Sequence, residues 1–293
     1  MKIARSGEEL LNICEEEGIS LSEYAIRYEM ENRDISREEL FKKMKKNLKV
    51  MQESAREGMD KEVYSVSGLI GGDAYKLRKY FEKGESLTGD TMVLAMAMAL
   101  SSSEVNAAMG RIVACPTAGS CGILPAVMLA AGEKLNKTED ELIQGLFASS
   151  AVGLIIGMNA TMAGAEGGCQ AECGSASAMG AAAVVEMMGG TPKMSLDAAA
   201  IVFKNVLGLV CDPVAGLVEI PCAKRNASGV VSALCTADLV MAGVESKIPF
   251  DDALSAMYKV GKSLPPSLRE TALGGVAITK AGLELKKKVF GEE

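Results

Sequence analysis

Five of the eight cysteines stand beside residues that shape the backbone around a ligand. Cys115 is followed by Pro116 and Cys121 by Gly122. Cys169 follows the pair Gly167-Gly168, Cys211 has Pro213 two residues on, and Cys222 follows Pro221. Thiolates that hold a metal need backbone that approaches closely and stays rigid. Glycine permits the approach because it lacks a Cβ, and proline fixes φ beside the ligand. Cys14, in a helical pattern, and Cys235, inside GVVSALCTADLV, lack this setting and read as buried thiols. The chain has no histidine and no C-x2-C pair, which disfavours the common zinc sites. The closely spaced ferredoxin run of four cysteines is also absent. Spacing by itself leaves a metal site and a set of buried structural thiols both open.

Polar residues lie near these cysteines in sequence. The loop containing Thr117, Gly119 and Ser120 offers backbone N–H groups and hydroxyls of the kind that hold a carboxylate; its alternative reading is a tight structural turn. Lys224, Arg225 and Asn226 directly follow Cys222, and an arginine grips a carboxylate with two parallel hydrogen bonds; a solvated helix start is the alternative for Lys224 and Arg225. Glu166 is placed to orient a ligand or act as a base, or else to form a structural salt bridge.

The elements that must position these loops are helical. Ser36 with Glu39, Ser20 with Glu23 and Thr138 with Glu141 have the spacing of helix-start capping boxes. Ser195 with Asp197 marks a further helix start. After Ser36, the residues Leu40, Met44, Leu48, Met51 and Ala55 recur on one helical face. Gly71-Gly72 is a turn before an amphipathic stretch. MVLAMAMAL (92–100) and SASAMGAAAVVEMM (175–188) combine the best helix former with small side chains, and the methionines read as core filler. Runs of alternating β-branched residues are scarce. The expected fold is therefore all-α, with buried Ala/Met/Gly-rich helices and the cysteines on Gly/Pro loops between them. One domain is expected over 1–293, with a charged helical front end (1–65) and the chemistry in about 65–280.

Charge is unevenly distributed: residues 1–90 hold 35 of the 69 charged side chains and residues 91–245 only 20. A net charge of −7 excludes a phosphate-neutralising surface, so no nucleic-acid partner is expected. The run Lys42, Lys43, Lys45, Lys46, Lys49 is the wet face of a helix. The first residues, MKIARSGEELLNICEEEG, contain no apolar core of a signal peptide. With eight cysteines not patterned as a disulfide framework, the expected location is the cytoplasm. Gln144 to Ala165 is uncharged and long enough to cross a bilayer, but it is mostly Ala, Gly, Ser, Met and Asn taken together, has few Leu or Phe, and runs into Glu166. A buried helix without membrane contact is expected there.

Four stretches carry a resemblance: SGLIGGDAYKL (67–77), EVNAAMGRIVACPTAGSCGILPAV (104–127), GAEGGCQAECGSASAMGAAA (164–183) and GLVCDPVAGLVEIPCAKRNA (208–227). In this order they resemble the α subunit of the iron–sulfur-dependent L-serine dehydratases, from about residue 65 to about 280. The resemblance implies a [4Fe–4S] cluster held by Cys169, Cys211 and Cys222. The single-chain members carry a cysteine near the C-terminus that can occupy the fourth iron. The segment KKKVFGEE holds none, so that iron is expected to be open to substrate. The implied reaction removes water from L-serine, with an iron as Lewis acid for the departing hydroxyl, and yields pyruvate and ammonia without PLP. Cys115, Cys121 and Cys173 receive no role, and neither does Asn106.

The resemblance also implies a partner. Two-chain members have a separate β subunit with a Ser- and His-bearing motif, which this histidine-free chain lacks. The main base is therefore expected from the β subunit, with the apolar helix face of the front end as its docking surface. Three other readings stay open: an iron–sulfur L-cysteine desulfidase, an electron-carrying iron–sulfur protein completed by Cys115, Cys121 or Cys173, and a structural helical subunit. A PLP lyase is disfavoured because Lys224 has no phosphate-cradling loop beside it.

Overall fold

The computed structural model describes residues 2–291. Over this range the chain forms α1 (Gly7–Glu17), α2 (Leu21–Arg33), α3 (Arg37–Asp60), α4 (Asp73–Phe81), α5 (Asp90–Ala107), α6 (Ile123–Lys134) and α7 (Glu139–Asn159). The single turn α8 (Gly164–Gly167) is followed by α9 (Cys169–Met187), α10 (Pro192–Asn205), α11 (Cys222–Met241), α12 (Phe250–Ser263) and α13 (Lys280–Phe290). Short 3-10 turns occupy Val214–Gly216, Pro266–Leu268 and Gly275–Ile278. Among the described residues there is no strand, only two isolated bridges, Tyr64 with Gly71 and Cys211 with Arg269. The fold is all-α, as the composition implied.

The centre is α9, packed against α6, α7, α10 and α11. Every residue of α9 is buried except Glu172 and Glu186. A helix buried on all sides needs no apolar stripe, and its Ala, Gly and Ser residues let neighbouring helices approach. Helix α7 is long and apolar enough to cross a membrane by length and composition. It lies between α2 and α9, with Leu142, Leu146, Phe147, Val152, Ile155 and Ile156 buried inside the protein.

Local capping follows the sequence at three starts. Ser20 and Ser36 accept from the backbone N–H of Glu23 and Glu39, and Thr138 with Glu141 forms a full reciprocal box. The helix expected to open at Ser195 begins earlier. Thr191 is its cap, Pro192 supplies the preset φ of the first turn, and Ser195 lies buried inside α10 with no partner for its hydroxyl.

The front end is stitched into the core by carboxylates distant in sequence. Asp251 accepts from Gly7 and Glu8 N–H at the start of α1 (2.7 and 3.0 Å). Glu186 accepts from Leu21 and Ser22 at the start of α2 (2.8 and 3.2 Å). Glu104 accepts from Asp73 and Ala74 at the start of α4 (2.7 and 3.3 Å). Each satisfies N–H groups that have no partner within their helix and places negative charge at the positive end of the dipole. The apolar face of α3 (Leu40, Leu48, Met51, Ala55) is buried, and α3 packs on α5. That face is therefore used inside this chain, and the expectation that it docks a partner is corrected.

Glu104 gives a stability test. Burial raises its carboxyl from 4.5 to about 7, opposed by the two N–H bonds. Between about pH 4.5 and 7 the folded chain keeps a proton that the unfolded chain has lost, so this group lowers stability as pH rises through that window and contributes nothing below it. The fall in Tm between pH 5 and pH 8 is expected to be smaller in Glu104→Gln than in the wild type. Equal falls in the two proteins, measured by thermal unfolding, would contradict this assignment.

Candidate functional site

Cys169 and Cys222 are each the first residue of a buried helix, α9 and α11. Thiols at helix N-termini sit where backbone N–H groups and the dipole favour the thiolate. Cys211 comes from the loop between α10 and α11. Its N–H donates to Leu268 O at 2.9 Å, and its carbonyl accepts from Glu270 N–H at 2.7 Å. The three side chains are buried and lie close enough to feel one another's charge. Burial, with the charge of Cys169 adding to it, pushes the Cys222 thiol up to about 12 and Cys211 higher still. Cys169 moves the other way. Its sulfur is 3.2 Å from that of Cys173, and this hydrogen bond, with the Arg225 guanidinium assisting against burial, holds Cys169 below the usual thiol range while Cys173 is raised.

Helical spacing decides which polar residues reach this cluster. Residues three and four apart share a helix face, while adjacent residues do not. On α11, Arg225 and Asn226 follow Cys222 at those spacings and Lys224 does not. Arg225 Nη1 donates to Val210 O at 2.8 Å, and its Nη2 is 2.9 Å from Asp212 Oδ1. Asp212 Oδ2 in turn accepts from Val276 N–H at 2.7 Å. The Arg225 charge is felt by Cys169 and Cys222. Asn226 is buried. Its Nδ2 donates to Gly119 O (2.7 Å) and Cys222 O (2.9 Å), and its Oδ1 accepts from Gly122 N–H (2.9 Å). It therefore fixes the Thr117–Ser120 loop beneath Cys222 rather than pointing free into a site. Lys224 faces outward and pairs with Asp73, tying α11 to the start of α4.

On α9 the same spacing brings Glu172 and Cys173 beside Cys169. Glu172 accepts a short hydrogen bond from the Thr117 hydroxyl, which also bonds Ser120 Oγ at 3.0 Å. A Cβ on Gly119 would stand 2.6 Å from Glu172 Oε1, so a side chain there would displace that carboxylate from Thr117. Burial raises the Glu172 carboxyl, with the Thr117 hydrogen bond opposing and the Glu270 charge adding. Glu166, the carboxylate singled out from sequence, is exposed and lies 4.0 Å from Lys262. Gly168, at φ 76°, turns the chain between Glu166 and Cys169. The carboxylates that face the thiols are Glu172 and Glu270. The first lies one turn after Cys169 only because α9 starts at that cysteine, which the sequence did not mark; nothing in the sequence near the cysteines pointed to the second.

The remaining thiols lie apart. Cys115 Sγ contacts Val113 O at 3.2 Å, and Cys121 Sγ contacts Ser102 O at 3.7 Å. Asn106 donates to Ala118 O at 3.3 Å and supports the same loop. Cys14 is buried as expected, whereas Cys235 is exposed, on the outer face of α11.

No three His, Cys, Asp or Glu side chains among the described residues converge on a point that would hold a single ion. The donor set nevertheless fits a polynuclear group. Each thiolate of such a group binds its own metal, so the sulfurs stand apart around a shared volume, and soft thiolate donors suit iron–sulfur chemistry. Three buried thiols on three separate elements meet that requirement.

Comparison with known proteins places the chain in a family. Residues 16–277 match the family model described as serine dehydratase alpha chain. The chain is 50% identical to the probable L-serine dehydratase, alpha chain, of Bacillus subtilis (strain 168), over 98% of this chain and 95% of the relative. It is 48% identical to the L-serine dehydratase, alpha chain, of Peptoniphilus asaccharolyticus, over 98% of both. It is 35% identical to L-serine dehydratase 1 of Escherichia coli (strain K12), over 94% of this chain but only 61% of the relative. The matched region contains all the thiol-bearing loops and both helices that begin at Cys169 and Cys222, and the chain belongs to the serine dehydratase alpha chain family.

Proposed function

We propose that this chain is the α chain of an L-serine ammonia-lyase, holding a [4Fe–4S] cluster on Cys169, Cys211 and Cys222 and working with a β chain in the cytoplasm. The observation that carries the reading is the meeting of these three buried thiols, in a chain about half identical to proteins named L-serine dehydratase alpha chain. The absence of any disulfide among the described cysteines supports a reducing compartment. When bound, the cluster supplies a Lewis-acidic iron for the departing hydroxyl.

The chain's own residues bind and orient. The Thr117–Ser120 loop, fixed by Asn226 and Glu172, holds its backbone rigid beside the thiols. Arg225 places a positive charge next to Cys169 and Cys222, where thiolates accumulate negative charge. Burial of the thiols excludes bulk water from the cluster. Loss of the α-proton and the β-hydroxyl leaves aminoacrylate, which tautomerises and is hydrolysed to pyruvate and ammonia. The pairing of Lys224 with Asp73 supports PLP independence, since this lysine has a structural partner.

Cys173 does not complete the cluster. Its sulfur, 3.2 Å from that of Cys169, is too near to serve a second iron and acts instead as a hydrogen-bond partner. Cys115 and Cys121, the other candidates for a fourth ligand, face Val113 O and Ser102 O instead, and an electron carrier with four protein ligands is disfavoured.

The test is iron and sulfide analysis of anaerobically purified protein, followed by turnover of L-serine and L-cysteine by the complex. Cluster-level iron and pyruvate from serine are expected. Faster release of sulfide from cysteine would reassign the substrate, and protein without iron or sulfide would remove the cluster.

A further inference from the structure

Gly164, in α8, borders a small cradle. A Cβ at this residue would stand 3.1 Å from Cys211 Sγ, 3.2 Å from Glu172 Oε2 and 3.3 Å from Glu270 Oε2. The absence of a side chain at Gly164 thus leaves a space walled by one thiol and two carboxylate oxygens, contributed by three segments distant in sequence. The other oxygen of Glu172 is occupied by Thr117. Glu270 is held with its backbone in the left-handed region (φ 63°), its N–H bonded to Cys211 O, so its carboxylate is tied to the cluster loop.

Neither carboxylate has a cationic partner in the chain. Among the described residues, Arg225 is engaged by Asp212 and Val210, Lys262 pairs with Glu166, and Lys224 pairs with Asp73. Two carboxylate charges converging on one space repel each other, and a cation between them relieves that repulsion; Glu172 is half-buried and Glu270 is exposed. The walls present acceptors, so the fitting occupant is a compact donor cation. On the reading of this protein as a serine lyase, the substrate carries one such group, its α-ammonium, and the cradle adjoins a cluster cysteine.

We propose that Glu172 and Glu270 form the ammonium-recognition pair of the substrate site, with the α-ammonium of L-serine seated over Gly164. The proposal rests on the lyase reading and extends it to specificity: these two residues select an amino acid over the corresponding hydroxy acid. The ammonium donates to Glu172 Oε2 and Glu270 Oε2, each a charge-assisted hydrogen bond.

The experiment uses the cluster-loaded complex with its β chain. Serine binding is measured through labelled L-alanine, which keeps the α-ammonium and carboxylate of serine but has no hydroxyl to lose and so is not consumed, by equilibrium dialysis in the wild type, Glu270→Gln, Glu172→Gln and Gly164→Ala, alongside inhibition by glycerate, which has a hydroxyl where serine has the ammonium. Iron content is measured in each. Glu270→Gln carries the main test because that side chain does not bond the Thr117 loop. It is expected to weaken serine binding by about 10- to 100-fold, the range for a hydrogen bond to a charged group, and to leave glycerate inhibition and iron at wild-type levels. Glu172→Gln is expected to show the same selective loss, as is Gly164→Ala, whose methyl group fills the cradle. Equal weakening of serine and glycerate in Glu270→Gln, or unchanged serine binding, would overturn the proposal. A wild type that binds iron but not serine would instead be a failure of the lyase reading, and is told apart by the dialysis of the wild type alone.

Discussion

Alanine at Cys169, Cys211 or Cys222 is expected to reduce iron to background, while alanine at Cys14 or Cys235 leaves it near the wild-type level of about four per chain that one cubane supplies. The argument is geometric. Cys169 and Cys222 open two helices that pack against each other, and Cys211 is pinned between them by its bonds to Leu268 and Glu270. Losing any one leaves two thiolates for a group that needs three, and Glu172 cannot swing in because it is held by Thr117. Cys14 lies far from the cluster loops, with its sulfur facing Ser20 O at 3.8 Å, and Cys235 is exposed. Cys173→Ala separates the two kinds of thiol: it is expected to keep the iron but to lose the hydrogen bond that holds Cys169 low. The measurement is iron and sulfide per chain in anaerobically reconstituted variants, with circular dichroism to confirm the fold. A full cluster in Cys211→Ala would sink the ligand assignment.

The second large effect concerns the partner. The isolated, fully iron-loaded chain is expected to form pyruvate from L-serine at below about 1% of the rate of the complex, since removing a general base typically costs 10²- to 10⁴-fold. The chain has no histidine, the side chain whose unperturbed pKa suits proton transfer near neutrality. Of its carboxylates beside the thiols, Glu172 is held by Thr117 and Glu270 is exposed to solvent. The Escherichia coli relative is matched over 61% of its length, and on the proposed function a β chain supplies the base. The assay is serine-dependent pyruvate formation under anaerobic conditions with and without the β chain. Full turnover by the single chain would place the base on one of its own residues, with Glu172 the first to replace.

How much was legible in the sequence depends on the range of the interaction. Helix starts at Ser20, Ser36 and Thr138 were readable because a cap bonds a backbone N–H within three residues, so the pattern and the bond share the same few positions. The all-α class was readable because Ala-rich stretches favour one backbone state whatever they pack against. Five cysteines stood out because glycine and proline constrain the chain locally, and only the family resemblance singled out Cys169, Cys211 and Cys222 among them.

The site's polar residues were not readable in that way. Glu166 and Glu172 lie equally far from Cys169 in sequence, yet the turn at Gly168 leaves one in solvent while the helix carries the other to the thiols. Lys224 and Arg225 are adjacent, and the helix sends them to opposite duties. Cys235 sits in an apolar run and is exposed because that turn of α11 has no neighbour outside it. Ser195 has the composition of a cap and lost the position to Thr191 followed by Pro192. The sequence by itself determined the helices, their local starts and the thiol loops, because short-range hydrogen bonds and backbone preferences act within a few residues. Only the tertiary structure decided that Thr117, Gly164, Glu172, Cys211 and Glu270 meet, because their proximity depends on how α8, α9 and the loops at 117, 211 and 270 pack, and no local pattern encodes the distance between segments that far apart in the chain.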